Sequence, residues 1–268
     1  MIPDDAGLEI TFLGTRGYIE ESSALHRAHS ACLLACGGKR LLLDAGETWE
    51  GHVDELGADW IAITHAHPDH AFGLRAGVAA PVYATPASCV VLEGFPIADL
   101  RRIEPDRLVR LGPFRLTAYA VIHSIRAPAV GFRIRAAGVT IVYNPDLVAI
   151  VDRERVLRGV DAYIGDGATL TRPLVRRRGA ALFGHTTVRA QLGWCREARI
   201  PRAFIVHCGK QLVEMQPVEL QHEVARLAGA DVEAVVTHDG MRVVIPPSHR
   251  SASRWLARTH AGRAAKTV

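Results

Sequence analysis

Residues 61–70, Ile-Ala-Ile-Thr-His-Ala-His-Pro-Asp-His, constrain this chain more than any other stretch. A short β-branched apolar run reads as a buried strand. Three histidines and an aspartate follow it at once, which puts them on the loop at that strand's end. Neutral imidazole is the commonest metal-binding side chain, and carboxylate is a harder oxygen ligand. His65 and His67 lie two apart and can point the same way. Asp69 and His70 come after a turn and can face a second ion. One short loop thus offers donors to two adjacent cations.

Other residues share this placement. His123 stands just past an apolar strand at 114–121 that runs into Ile122, Asp146 follows the run at 141–143, and His207 follows 203–206. Each is the first, or nearly the first, polar residue after a buried run, as His65 is. Asp44 stands likewise after Leu41-Leu42-Leu43 and before Ala45-Gly46.

The His65-x-His67-x-Asp69-His70 pattern resembles the signature of the metallo-β-lactamase superfamily of binuclear metallohydrolases, over most of the chain from about residue 8 to 245. The resemblance implies an α/β fold, the four-layer αββα sandwich. It also implies two divalent metal ions, zinc first, with manganese or iron as alternatives. His65, His67 and His123 would hold one ion, Asp69, His70 and His207 the other, with Asp146 bridging. Asp44 would orient a ligand loop from below. The family commonly has a small residue and glycine before the bridging aspartate. Here Asn144-Pro145 stands there, and proline fixes φ and removes an N–H.

A second segment bears on substrate. Gly184-His185-Thr186-Thr187 opens a helix about twenty residues before His207, and it resembles the phosphodiesterase branch of that superfamily. That branch includes the tRNA 3′-processing endonucleases and the cyclic phosphodiesterase of the phosphonate pathway. By this resemblance Asp69 and His185 are the catalytic pair, with His185 contacting the phosphate or protonating the leaving alkoxide. Thr186 or Thr187 can cap the helix, whose N-terminus favours an anion. Thr186, Asp166, Arg126 and Arg172 are the candidate substrate-binding residues, and Arg16 lies near the same loops. The expected function is hydrolysis of a small anionic substrate: a small or cyclic phosphodiester, or a nucleotide. A lactone, thioester or β-lactam on the same metal site is the alternative. Folded RNA is less favoured, because no long Gly/Pro-rich basic insertion is present to form a gripping arm. His67 occupies the position where oxygen-reducing diiron relatives carry a carboxylate, which favours hydrolysis.

The rest of the chain is consistent with this. Length and composition, 268 residues with 49% hydrophobic and 22% charged, suit a soluble globular protein. A net charge of +4 permits an anionic substrate without demanding one. Residues 1–247 read as one domain and 248–268 as a basic tail. Five scattered cysteines argue against a disulfide framework, and Cys32 and Cys36 read as thiols in a strand. No signal peptide or transmembrane-length stretch is visible, so a reducing cytoplasm with no membrane is expected. A homodimer is expected only by analogy with relatives. The loop at 17–29 is expected to overhang the site, and without a cysteine cluster it should hold no third metal. Gly37-Gly38 and His238-Asp239-Gly240 both read as hairpin turns, and a helix is expected from residue 71.

Overall fold

Leu8, Ile10 and Phe12 are fully buried while Glu9, Thr11 and Leu13 are half-buried, so β1 (Leu8–Gly14) turns a single face to the core. Residues 7–247 are described in this computed structural model, and the basic tail expected at 248–268 lies outside them. The chain continues with β2 (Ala31–Cys36), β3 (Lys39–Leu43), β4 (Trp60–Ile63), α1 (Pro68–Ala71), β5 (Val82–Ala84), α2 (Pro86–Leu92) and β6 (Leu100–Arg102). Then come β7 (Leu108–Leu111), β8 (Phe114–Ile122), β9 (Val130–Ala136), β10 (Val139–Asn144), β11 (Ala149–Ile150) and α3 (Arg153–Leu157). The last third holds β12 (Ala162–Asp166), β13 (Leu174–Arg178), β14 (Ala181–His185), α4 (Val188–Ala198), β15 (Arg202–Val206), α5 (Lys210–Glu214), α6 (Pro217–Ala228), β16 (Glu233–Val236) and β17 (Met241–Ile245).

Two sheets form. One has the order β17-β1-β2-β3-β4-β5-β6, the other β11-β8-β9-β10-β12-β15-β16, with β7 paired to β8. Strands β13 and β14 stand apart as a two-stranded ribbon. Phe12, Leu34 and Leu43 from the first sheet meet Phe132, Ile141 and Phe204 from the second in a buried layer between them. A second apolar layer packs α4 and α6 on the outer face of the second sheet, through Leu192, Val224 and Leu227. A third packs α2 on the outer face of the first, through Ile61, Val82 and Leu92. Three apolar layers between four structural layers make this the αββα metallo-β-lactamase fold.

Local chemistry places the elements. The Gly37-Gly38 turn joins β2 to β3 with Cys36 opposite Lys39, and both glycines have positive φ, as a tight hairpin turn requires. Thr85 and Thr187 cap α2 and α4 by accepting backbone N–H bonds from Ser88 and Ala190. So Thr187, not Thr186, is the cap of the helix after His185. Four of the five cysteines are buried.

Two expectations about elements fail. The helix expected from residue 71 begins three residues earlier, at Pro68, because proline's fixed φ suits a first helical turn. Asp69 and His70 therefore lie on the helix rather than before it. The His238-Asp239-Gly240 turn is not a hairpin, since β16 belongs to the second sheet and β17 to the first. The chain there crosses from one sheet to the other.

Strands β3 to β6 run parallel, as do β10, β12, β15 and β16. Strand β9 is antiparallel to both β8 and β10, so those two share a direction. The C-terminal ends of the strands thus open on one edge, where sites form in open α/β sheets. Among the described residues no helix is long and apolar enough to cross a membrane.

Candidate metal centre

That edge gathers the polar residues. His65 follows β4, His123 follows β8, Asp146 lies two residues past β10, and His207 follows β15. Helix α1 carries Asp69 and His70 inward, both buried. Three groups of donors result, each with its ligand atoms within 4.8 Å of one another: His65, His67, His123 and Asp146; Asp69, His70 and His207; and Asp146, Asp166, His185 and His207.

The first two groups lie side by side around Asp146. His65 Nε2 lies 2.9 Å from His67 Nδ1, which lies 3.3 Å from His123 Nε2. Asp69 Oδ2 is 3.0 Å from His207 Nε2 and 3.4 Å from His70 Nε2. Asp146 sits between the groups, its Oδ2 3.7 Å from the Nε2 atoms of His65, His70 and His207 alike. His70 Nε2 and Asp146 Oδ1 are buried without a hydrogen-bond partner, although Asp146 Oδ1 comes within 2.8 Å of His123 Nδ1 and 2.9 Å of His185 Nδ1. Buried polar atoms are ordinarily paired. Converging imidazole nitrogens around an orphaned carboxylate oxygen are the donor set a pair of divalent cations requires, so the residues fit such ions.

The electrostatics divide the donors. Burial opposes charge on His70 and His207, but the adjacent carboxylates outweigh it and raise His70 to about 10 and His207 well above the ordinary histidine range. Burial, reinforced by neighbouring histidines, pushes His65 well below the ordinary histidine range and His67 down to about 4. Both are neutral imidazoles at pH 7, the form that ligates. Burial works against ionised Asp69 and Asp146, but the surrounding histidines outweigh it and hold both carboxyls well below their usual range.

A layer of supporting residues orients the donors. Asp44 is fully buried, with a left-handed φ of 59°. It accepts bonds from the Thr64 N–H and hydroxyl, and at 2.9 Å from His70 Nδ1. That fixes the His70 tautomer and leaves Nε2 facing the donors. Asp166 does the same for His185 on the far side, with Oδ2 2.9 Å from His185 Nδ1, whereas its Oδ1 stays 3.6 Å from His207 Nδ1, beyond hydrogen-bond reach. His207 also has a left-handed φ, 51°. Backbone N–H bonds from Gly17 to Cys208 and from Cys208 to Thr15 clamp it.

A cavity of about 870 Å³ opens over the centre. Its wall includes His67, Asp69, His123, Asp146, His185 and His207, with Tyr18, Ile19 and Leu174 as an apolar side. His185 has its Nδ1 between two buried carboxylates, leaving Nε2 for the cavity. Burial opposes its charged form, yet Asp166 and Asp146 together push it up to about 10.

The four candidate substrate-binding residues are placed differently. Asp166 is fully buried behind His185, and Thr186 is buried with its N–H bonded to the Leu147 carbonyl. Arg126 and Arg172 are exposed and do not line the cavity. Arg16 is occupied with the overhanging loop, donating to the carbonyls of Ile19 and Arg27. The cation on the cavity wall is instead Lys210, at the start of α5, paired with Glu21 from the overhanging loop and with Glu214. Sequence reasoning missed it, although it stands three residues past His207. Asp239 was missed too. It accepts bonds from Thr15, Arg27 and Ala28 and so ties the loop at 17–29 to the β16–β17 crossing.

Comparison with known proteins gives the same fold. A Bacillus subtilis metallo-β-lactamase fold protein, YhfI, superposes with a TM-score of 0.68 at 20% identity, over 88% of this chain and 99% of that one. A diphosphatase from the PhnP family superposes with a TM-score of 0.68 at 20% identity, over 88% and 96%. Ribonuclease Z of Methanopyrus kandleri is 28% identical over 190 residues, 63% of this chain. The chain spans 64% of the length of that relative, and smaller shares of the other curated relatives it matches. Residues 39–208, more than half of the chain, match the family described as Beta-lactamase superfamily domain, and the protein belongs to that family.

Proposed function

We propose that this protein is a metal-dependent hydrolase that cleaves phosphodiester bonds in a small or cyclic phosphodiester or a nucleotide. The observation that carries the reading is His185, held by Asp146 and Asp166 at 2.9 Å each, with Nε2 free at the cavity wall. The similarity to ribonuclease Z of M. kandleri, and the fold shared with a PhnP-family diphosphatase, support it.

In this reading His65, His67 and His123 hold one divalent cation, and Asp69, His70 and His207 hold another, with Asp146 shared. Bound there, zinc, manganese or iron would lower the pKa of a water and polarise the phosphoryl group. Everything else falls to the chain. Asp44 and Asp166 hold the His70 and His185 rings in place. Asp69, on the cavity wall, accepts the proton of the attacking water. An alkoxide is a poor leaving group, and His185 donates the proton it needs as the P–O bond breaks. The carboxylates behind His185 keep that proton on the ring at neutral pH. Lys210 offsets the charge of a non-bridging oxygen, while Tyr18, Ile19 and Leu174 receive the organic part of the ester.

The test is a substrate panel. Protein loaded with zinc or manganese is assayed on an aryl phosphodiester, a lactone, a thioester and a β-lactam. The reading expects the diester to be preferred. A preferred lactone, thioester or lactam overturns the substrate class.

A further inference from the structure

The ribbon of β13 and β14 belongs to neither large sheet, and every residue of β13 is exposed. Its register runs from Leu174 opposite His185 to Arg178 opposite Ala181. Its base is therefore the strand that delivers His185, and the Gly184 N–H ties that base to the His123 carbonyl. Alternation puts Leu174, Arg176 and Arg178 on one face with Phe183 and His185, and Val175 and Arg177 on the other. A groove of about 530 Å³ follows this ribbon, lined by Arg172, Leu174, Arg176, Phe183 and His185 among others. Leu174 and His185 line the central cavity as well, so groove and cavity adjoin.

The charge of this surface is uncompensated. Residues 167–196 contain no aspartate or glutamate. Surface arginines such as Arg101, Arg155 and Arg226 each face a carboxylate. Among the described residues, the guanidinium groups of Arg172, Arg176, Arg177 and Arg178 have no hydrogen bond or ion pair. Four free guanidinium groups beside exposed Leu174, Val175 and half-buried Phe183 match a ligand with repeated phosphates and flat apolar faces.

We infer that the β13–β14 ribbon is a docking arm for a single-stranded polynucleotide, which it feeds toward His185. Arginines take the phosphates, while Phe183 and Leu174 take unstacked bases. The five residues from Ala181 to His185 extend about 13 Å at strand rise. The inference rests on the phosphodiester reading for its chemistry, but its binding step is measured apart.

The test uses the full chain and a fluorescent, unstructured 12-nucleotide RNA, titrated by anisotropy across salt concentrations. A triple variant, Arg172→Gln with Arg176→Gln and Arg178→Gln, is set against a control triple on the β7–β8 hairpin, Arg107→Gln with Arg110→Gln and Arg115→Gln. Melting temperatures check that both fold. The ribbon variant should bind roughly tenfold or more weakly, with a log–log salt slope shallower by about 2, three contacts at about 0.7 each. The control should resemble the unaltered protein. Equal losses in both triples, or no loss in either, overturn the arm. So does binding to polyglutamate or to phosphatidylserine vesicles as tight as to RNA. The unaltered protein's rate on a small aryl diester is read separately. RNA binding without that rate sinks the chemistry and leaves the arm, and the rate without RNA binding does the reverse.

Discussion

His70 Nδ1 lies 2.9 Å from Asp44 Oδ2, with both side chains fully buried. Asp44 accepts the Nδ1–H hydrogen bond of His70 while also accepting from Thr64 and from the Tyr143 hydroxyl at 3.3 Å. One carboxylate therefore joins the end of β3, the end of β4 and helix α1. Its backbone is left-handed, a conformation asparagine also tolerates. Asp44→Asn is thus a test of charge rather than backbone. Metal affinity, measured by competition with a chelating dye, should fall about 10- to 100-fold, the usual effect of losing such a support.

His70 Nε2 and Asp146 Oδ1 are buried without a hydrogen bond, and a cation would satisfy both. Chelation should lower the melting temperature, and zinc or manganese should restore it. A ligand at a hundredfold excess over its dissociation constant adds about 2.7 kcal/mol. For a chain of this size that is a shift of about 5–10 °C.

Lys210 bridges the start of α5 to Glu21 on the overhanging loop. An anionic substrate competes with Glu21 for that ammonium group. Lys210→Gln should raise KM roughly fivefold with kcat little changed, the upper range for an exposed ion pair, whereas Glu21→Gln should lower KM. Steady-state kinetics on a charged and an uncharged ester separates the two effects.

His29 is buried beside the centre, with neither ring nitrogen hydrogen-bonded and Nδ1 3.6 Å from a Glu47 carboxylate oxygen. Burial, with Arg16 adding to it, pushes its pKa down to about 4. A depressed histidine means the unfolded chain binds a proton that the folded one refuses. Stability is therefore full above about pH 6.5 and falls as pH drops toward 4. Thermal melts between pH 7 and 4.5 should show a decline that His29→Asn reduces.

Much of this arrangement is legible in sequence, for a physical reason. His65, His123, Asp146 and His207 each end an apolar run, and parallel strands bring such ends to one edge. The Gly37-Gly38 hairpin is likewise a local signal. What stays hidden depends on pairing across long separations. Asp239 reaches Thr15 across 224 positions, and nothing in His238-Asp239-Gly240 distinguishes a staple from a hairpin turn. Asp166 resembles a solvated loop residue until β12 is seen to bury it beneath His185. Nothing marks Arg176, Arg177 and Arg178 as strand residues, because β13 buries nothing and so lacks the alternation that identifies one.

The central claim is that His185 acts on the leaving group rather than holding a cation. The most direct measurement pairs turnover of an aryl phosphodiester and an alkyl phosphodiester with metal content, in the unaltered protein and in His185→Ala. The account predicts that the variant keeps its metals and loses about 10²- to 10⁴-fold in rate, the usual worth of a general acid. The loss should be greater for the alkyl ester, whose leaving group needs the proton more. Unchanged rates, or metals lost together with activity, would contradict it.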